Sequence, residues 1–340
     1  MKFRTIISKY GIYLVLIALL VFFSLVSPVF LTGENLLNVL RQVAVVGIAA
    51  VGMCFVMLTG GIDLSVGSMI GLSGIIAALL MVSGVNPVLA AIIALAAGVI
   101  MGLINGFLVN EVKIPPMIAT LGMMTLLRGV CYVLTGGMPV FGFSESFTVL
   151  GQGYLWGIPI PVILMLIVFL AGYLILNKFT IGRHIYGVGG NDEAARLSGI
   201  DVKKVKYFVY SMSGFLCGLA GIILLSRTNS GQPKAGTGYE MDIIIGVVLG
   251  GISITGGEGK MVGVIAGVII MGVLSNGMII TNVGDYVQRI IQGLVLIAAV
   301  AFDCYNRSRP VTVFRRDKGQ TNNFNISIGG KNGPSIKSEL

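Results

Sequence analysis

Few residues in this sequence are of types that can do chemistry, and their spacing limits what that chemistry can be. Asp63 and Ser65 stand two positions apart in Thr59-Gly60-Gly61-Ile62-Asp63-Leu64-Ser65-Val66-Gly67-Ser68. Two glycines can end one helix and Asp63 or Ser65 can cap the next, so the stretch reads either as a polar hinge or as a capped tight turn. Gly259-Lys260 looks like the end of a phosphate-binding loop, yet Ile254 stands where its first glycine is needed and Met261 replaces its metal-binding Ser or Thr. Gly251-Ile252-Ser253 begins like a nucleophile elbow, but Thr255 occupies the place of the closing glycine. His184 is the only histidine, which removes His clusters for metals and triads built on two histidines. Cys54, Cys131, Cys217 and Cys304 are dozens of residues apart and imply neither a disulfide nor a metal site. No catalytic residue, metal or cofactor is expected.

The elements that must position these residues are membrane helices. Of 340 residues, 55% are hydrophobic and 11% charged, against about a quarter charged in soluble domains. Run after run reaches the roughly 20 apolar residues that cross a bilayer. Ten segments can be drawn, roughly 10–30, 43–59, 66–83, 88–109, 116–135, 160–177, 207–227, 241–254, 261–281 and 286–303. The expected fold is an all-α, polytopic transmembrane bundle of about ten spans over 1–305, with a polar, disordered cytoplasmic tail over 306–340. The first segment resembles a signal peptide, but Pro28 follows Ser27 where a cleavage site would be needed, so it reads as an uncleaved span. The eighth is short and glycine-rich and reads as broken or re-entrant. Glycines at four-residue spacing, Gly98/Gly102/Gly106, Gly214/Gly218, Gly246/Gly250 and Gly263/Gly267, predict close helix packing. An echo between Met101–Asn110 and Met271–Asn282 fits either an inverted repeat or chance.

Polar side chains inside such runs are costly and face a bundle interior or a wet cavity. Asn105, Arg128, Asn276 and Gln288 fit that description, and with Asp63 and Ser65 they form the candidate translocation pathway. Arg128 lies about 18 Å along its helix from Pro116, where it can bind hydroxyls, pair with a carboxylate or snorkel outward. Arg289 and Gln292 read more simply as helix packing.

Charge sets the orientation, because loops rich in Lys and Arg stay in the cytoplasm. Lys2, Arg4 and Lys9 mark one end and Arg307, Arg309, Arg315, Arg316 and Lys318 the other, so both termini are expected inside. Ten crossings also place Lys178–Lys206 inside, with Lys178, Arg183, Arg196, Lys203, Lys204 and Lys206. The net charge of +9 is therefore topological, and no nucleic-acid partner is expected. Segment 136–159 falls outside, where Trp156 and Tyr154 suit a headgroup belt or plain loop packing. Within 178–206, Asn191 can cap a helix, Asp192 and Glu193 favour its first turn, and Gly199 can end it. Asp201 then starts a helix running through Lys203, Lys204 and Lys206 into the seventh span. The short helix reads either as a lever for a soluble partner or as a simple connector.

Four stretches carry a resemblance: LTGGIDLSVGS at 58–68, PPMIATLGMMTLLRG at 115–129, GRHIYGVGGNDEAARLSGI at 182–200 and GTGYEMDIIIGVVLGGISITGGEGK at 236–260. Over about residues 35–303 the chain resembles the binding-protein-dependent permeases for branched-chain amino acids and sugars, most of all the ribose permease group. The resemblance implies a multi-pass permease subunit of the bacterial plasma membrane that moves a monosaccharide by alternating access and is not itself an enzyme. Its implied partners are a cytoplasmic ATP-binding cassette subunit, an extracytoplasmic sugar-binding protein, a second permease copy and membrane lipid. It implies that Gly190, Asn191, Asp192, Glu193, Ala194, Ala195, Arg196 and Leu197 meet the ATPase. Met241 and Ile243–Ile245 are bulkier than the family's pattern in that stretch. The alternative class is an ion-coupled secondary transporter, which needs an intramembrane carboxylate. Only Asp63, Asp242 and Asp303 come near, all at span ends.

Overall fold

The computed structural model describes residues 2–307; Met1 and 308–340, which hold nearly all of the expected polar tail, lie outside the described residues. The chain forms α1 (Lys2–Val26), α2 (Gly33–Leu58), α3 (Val66–Val82), α4 (Pro87–Asn110), α5 (Pro116–Thr135) and α6 (Glu145–Gln152). A two-residue hairpin follows, β1 (Tyr154–Leu155) and β2 (Ile158–Pro159). Then come α7 (Ile160–Lys178), α8 (Thr180–Gly190), α9 (Asp192–Leu197), α10 (Val202–Thr228), α11 (Tyr239–Leu249), α12 (Met261–Ile280) and α13 (Asp285–Arg307). The protein is a multi-pass helical membrane protein. Among the described residues, six helices are long and apolar enough to cross a bilayer: α2, α4, α5, α7, α10 and α12. Ile12–Val26 of α1 and the whole of α3 are shorter apolar helices.

The centre of the bundle is α2, buried without a gap from Val43 to Leu58. A helix apolar all round is stable only when neighbours cover every face, and α7, α10, α11 and α12 cover this one. The glycine stripes pair off as the spacing predicts. A Cβ at Gly102 of α4 would strike the carbonyl oxygen of Tyr210 in α10, and one at Gly214 would strike that of Gly98. On the other flank, a Cβ at Gly263 or Gly267 of α12 would strike the carbonyls of Gly250 and Gly246, at the end of and within α11. Backbones therefore touch directly where side chains are absent, and dispersion and weak contacts replace the missing hydrophobic drive.

One boundary differs clearly from the sequence reading. α2 begins at Gly33 rather than near 43, with Thr32 capping it by accepting a bond from Asn35 N–H. Its first turns carry Glu34, Asn35, Asn38, Arg41 and Gln42, so they are helical without being apolar. The eighth segment is short, as expected: α11 has 11 residues, about 16 Å at the helical rise, and gives way to a glycine-rich loop at 250–260. Segment 136–159 contains α6 and the hairpin. Trp156 sits in the hairpin turn at 91% exposure, so loop packing does not account for it.

The loops gather at two ends. At one, Gly257 N–H donates to Leu58 O at 2.9 Å, Tyr186 Oη to Gly259 O at 2.9 Å, and Asn110 Nδ2 to Lys203 O at 3.2 Å. At the other, Val140 and Gly231 exchange backbone bonds, and Ser226 Oγ accepts from Gly151 N–H at 2.7 Å while donating to Phe147 O at 2.6 Å.

Candidate functional site

The first site is the surface around α9. Asn191 is extended and its Oδ1 accepts the Ala194 N–H at 2.9 Å, which caps the helix. Gly199, at φ +82°, lets the chain turn out of it. Asp192 and Glu193 lie in the first turn and Arg196 in the last, matching the helix dipole at both ends. Ala195 is buried and seats the helix; Leu197 stands 79% exposed on the outer side. Arg196 pairs with Glu193 at 2.6 Å, and Lys206 of α10 pairs with Asp192. Asp201 caps α10, and the bond its carboxyl accepts from Lys204 N–H holds it below the usual carboxylate range. Glu111, hydrogen-bonded to Lys203 at 2.7 Å, raises that ammonium's pKa.

Behind α9 lies a cavity of about 320 Å³, lined among others by Asp192, Lys206, Gly189, Gly60, Thr255 and Tyr210. A Cβ at Gly189 would collide with the carbonyl of Leu58, so α8 rests directly on the end of α2. α9 is thus joined to α10 by the Asp192–Lys206 pair, and α8 before it abuts α2 at Gly189.

Asp63, Ser65 and Asn105 come together just beneath. All three are fully buried, as is Ser213 of α10. Asp63 Oδ1 accepts from Ser65 N–H at 3.0 Å, from Ser65 Oγ and from Asn105 Nδ2 at 3.4 Å; Oδ2 accepts from Ser213 Oγ at 3.3 Å. Asn105 Nδ2 also reaches Ser65 Oγ at 2.9 Å. Ser65 sits at the N-cap position of α3 but makes no side-chain cap bond. One buried carboxyl gathers donors from the 59–65 loop, α4 and α10. Such a network is stable only while every donor is engaged.

The remaining candidates sit elsewhere. Arg128 Nη1 donates to Pro233 O at 2.8 Å and Ala235 O at 2.7 Å, holding α5 against the loop before α11. Asn276 of α12 exchanges two amide bonds of 3.0 Å with Asn35 of α2. Gln288 donates to Val283 O at 2.7 Å and lines a second cavity of about 490 Å³ at the end away from α9. That cavity lies between α11 and α13, and its wall includes Asp242, Arg289 and Gln292. Gln292 Nε2 donates to Asp242 Oδ1 at 2.8 Å. The sequence reading assigned Gln292 and Arg289 to packing and passed over Gln42 and Ser275, which also face this space. The usable signal was the spacing of Gln288 and Gln292, one turn apart on a single face of α13.

Comparison with known proteins agrees with this architecture. A family model described as the branched-chain amino acid transport system permease component matches residues 35–300. The chain is 46% identical over 303 residues to the ribose import permease of Bacillus subtilis strain 168, covering 88% of this chain and 94% of that one. It is 48% identical over 295 residues to the ribose import permease of Escherichia coli K12, covering 85% and 92%. The L-arabinose transport system permease of Escherichia coli K12 is 37% identical over 316 residues, covering 92% and 95%. No solved structure matches the chain. Matched over most of its length by the family model and over nine-tenths of these relatives, the chain belongs to the family of branched-chain amino acid transport system permease components.

Proposed function

We propose that this chain is the membrane-spanning subunit of an ATP-driven importer that carries a ribose-like monosaccharide across the bacterial plasma membrane by alternating access. The observation that carries this reading is the 46–48% identity to two ribose import permeases over nearly the whole of each. The chain itself is not an enzyme: a cytoplasmic ATP-binding cassette subunit hydrolyses ATP, and an extracytoplasmic binding protein delivers the sugar. A second permease copy completes the core within membrane lipid, and nucleic acid has no part.

In this reading the chain crosses ten times with both termini inside, which puts α9 on the cytoplasmic face. The clustering of Arg183, Arg196, Lys203, Lys204 and Lys206 around α9 supports that orientation. Gly190 to Leu197 receive the ATPase, with exposed Leu197 and Ala194 as the contact and buried Ala195 as the seat. Asp63, Ser65 and Asn105 form the joint by which that motion reaches α3, α4 and α10. Gln288 lines the solute path, while Arg128 and Asn276 hold the helices that border it.

The test is sugar uptake into proteoliposomes holding the permease, with and without its ATPase subunit and binding protein. Accumulation that requires both partners and ATP is the expected result. Accumulation driven by an ion gradient alone overturns the reading in favour of a secondary transporter.

A further inference from the structure

The cavity between α11 and α13 has a composition that selects its ligand. Its volume, about 490 Å³, falls in the range of small-molecule sites, about 300 to 1,000 Å³. Ionisable groups within membrane segments are expensive and mark solute pathways. Here three carboxyl groups, Glu240, Asp242 and Asp285, share the wall with one guanidinium, Arg289. Sugar hydroxyls can donate to the carboxyls, and the amides of Gln288 and Gln292 can both donate and accept. The ring of Tyr239 adds an apolar face. A phosphate or carboxylate in the same space meets excess negative charge.

A separate small void of about 10 Å³ shares Asp242, Gln42 and Ser275 with this cavity and is also lined by Val268 and Met271 of α12. One Asp242 oxygen is engaged by Gln292. Among the described residues the other has no partner and is open to a ligand hydroxyl.

We infer that Asp242, in the wall of this cavity with one oxygen held by Gln292, is a specificity-determining residue that favours the neutral polyhydroxyl solute of the importer reading over anions. The inference rests on the importer reading above and names the chemistry of its substrate site.

Two cysteine reporters, Ser275→Cys and Gln288→Cys, are placed separately in a Cys304→Ser transporter, whose Cys54, Cys131 and Cys217 are buried, reconstituted with its partners. Each is modified with ethylammonium and ethylsulfonate methanethiosulfonates, with rates normalised to a free thiol. The cationic reagent should react at least about tenfold faster, the lower end of electrostatic focusing in a charged cleft. Asp242→Asn should shrink that ratio several-fold. D-ribose should slow both reactions, and D-ribose 5-phosphate should protect less at equal concentration. Equal normalised rates for the two reagents, or rates that D-ribose leaves unchanged, overturns the inference. ATP-dependent uptake by the unmodified transporter is measured in parallel, so failure of this site is separable from failure of the importer reading.

Discussion

At the end of the bundle that carries α9, backbone meets backbone: Gly189 rests on the Leu58 carbonyl, and Gly256 and Gly257 crowd Gly60 and Gly190. At the other end, side chains of α11 and α13 stand apart and enclose about 490 Å³. Direct backbone contact has no rotamers to absorb a displacement, so it transmits motion with little loss. A cavity walled by Gln, Asp and Arg can rearrange around a ligand. The division suits a machine that is pushed at one face and recognises a solute near the other.

Gly189→Val attacks the stiff end directly. Its side chain would have to displace the end of α2, and an overpacked contact costs about 1 to 3 kcal/mol or more. The expected outcome is a large fall in the detergent melting temperature and loss of uptake, whereas Gln288→Leu in the cavity should leave the melting temperature nearly unchanged. Asp63→Ala should rank next. It leaves the donors of Ser65 and Ser213 without their acceptor, at about 1 to 3 kcal/mol for an unsatisfied buried group, while Asn105 keeps its bond to Ser65 Oγ. Thermal unfolding compared with Asp63→Asn, which keeps an acceptor oxygen, gives the readout; equal losses for the two variants would argue against a donor-gathering role.

Asn276→Leu breaks the amide exchange with Asn35 and should cost about 1 kcal/mol, the usual scale for interhelical hydrogen bonds in membranes. Asn35 also donates to Phe30 O at 2.8 Å, so the double variant with Asn35→Leu should lose that bond as well, and a double-mutant cycle isolates the coupling of the two amides. Asn191→Ala should have the smallest effect on the whole molecule. Loss of its cap costs about 1 kcal/mol but falls on α9 alone, so hydrogen exchange should accelerate at Ala194 and Ala195 while global melting stays put. Stimulation of the ATPase by the permease should fall with it.

Legibility in the sequence followed the range of the interactions. α9 could be read because its determinants are contiguous: the Asn191 cap, the acids after it and Gly199 at φ +82° all lie within nine residues. The glycine stripes could be read because close approach demands small residues at helical spacing. α8 could not, since Gly182, Gly187, Gly189 and Gly190 within Thr180–Gly190 read as a loop, and contacts with α7, α9, α10 and α2 stabilise the helix. The Asn35 to Asn276 pair spans 241 positions, and the Asp242 to Gln292 bond depends on how α11 meets α13. No local pattern encodes either. Asp63 and Ser65 were legible as polar residues in an apolar setting, but their partner Ser213 was not, because Ser is common in helices and only packing singles this one out.

The most direct test of the account labels Leu197→Cys, in a Cys304→Ser background, with a membrane-impermeant maleimide. Cys54, Cys131 and Cys217 are buried, so the reagent reports on the one introduced thiol. Labelling confined to inside-out vesicles and blocked by the assembled ATPase subunit is the expected result. Labelling from outside intact cells, or labelling that the ATPase leaves unchanged, contradicts the assignment of α9 as the face on which the motor acts.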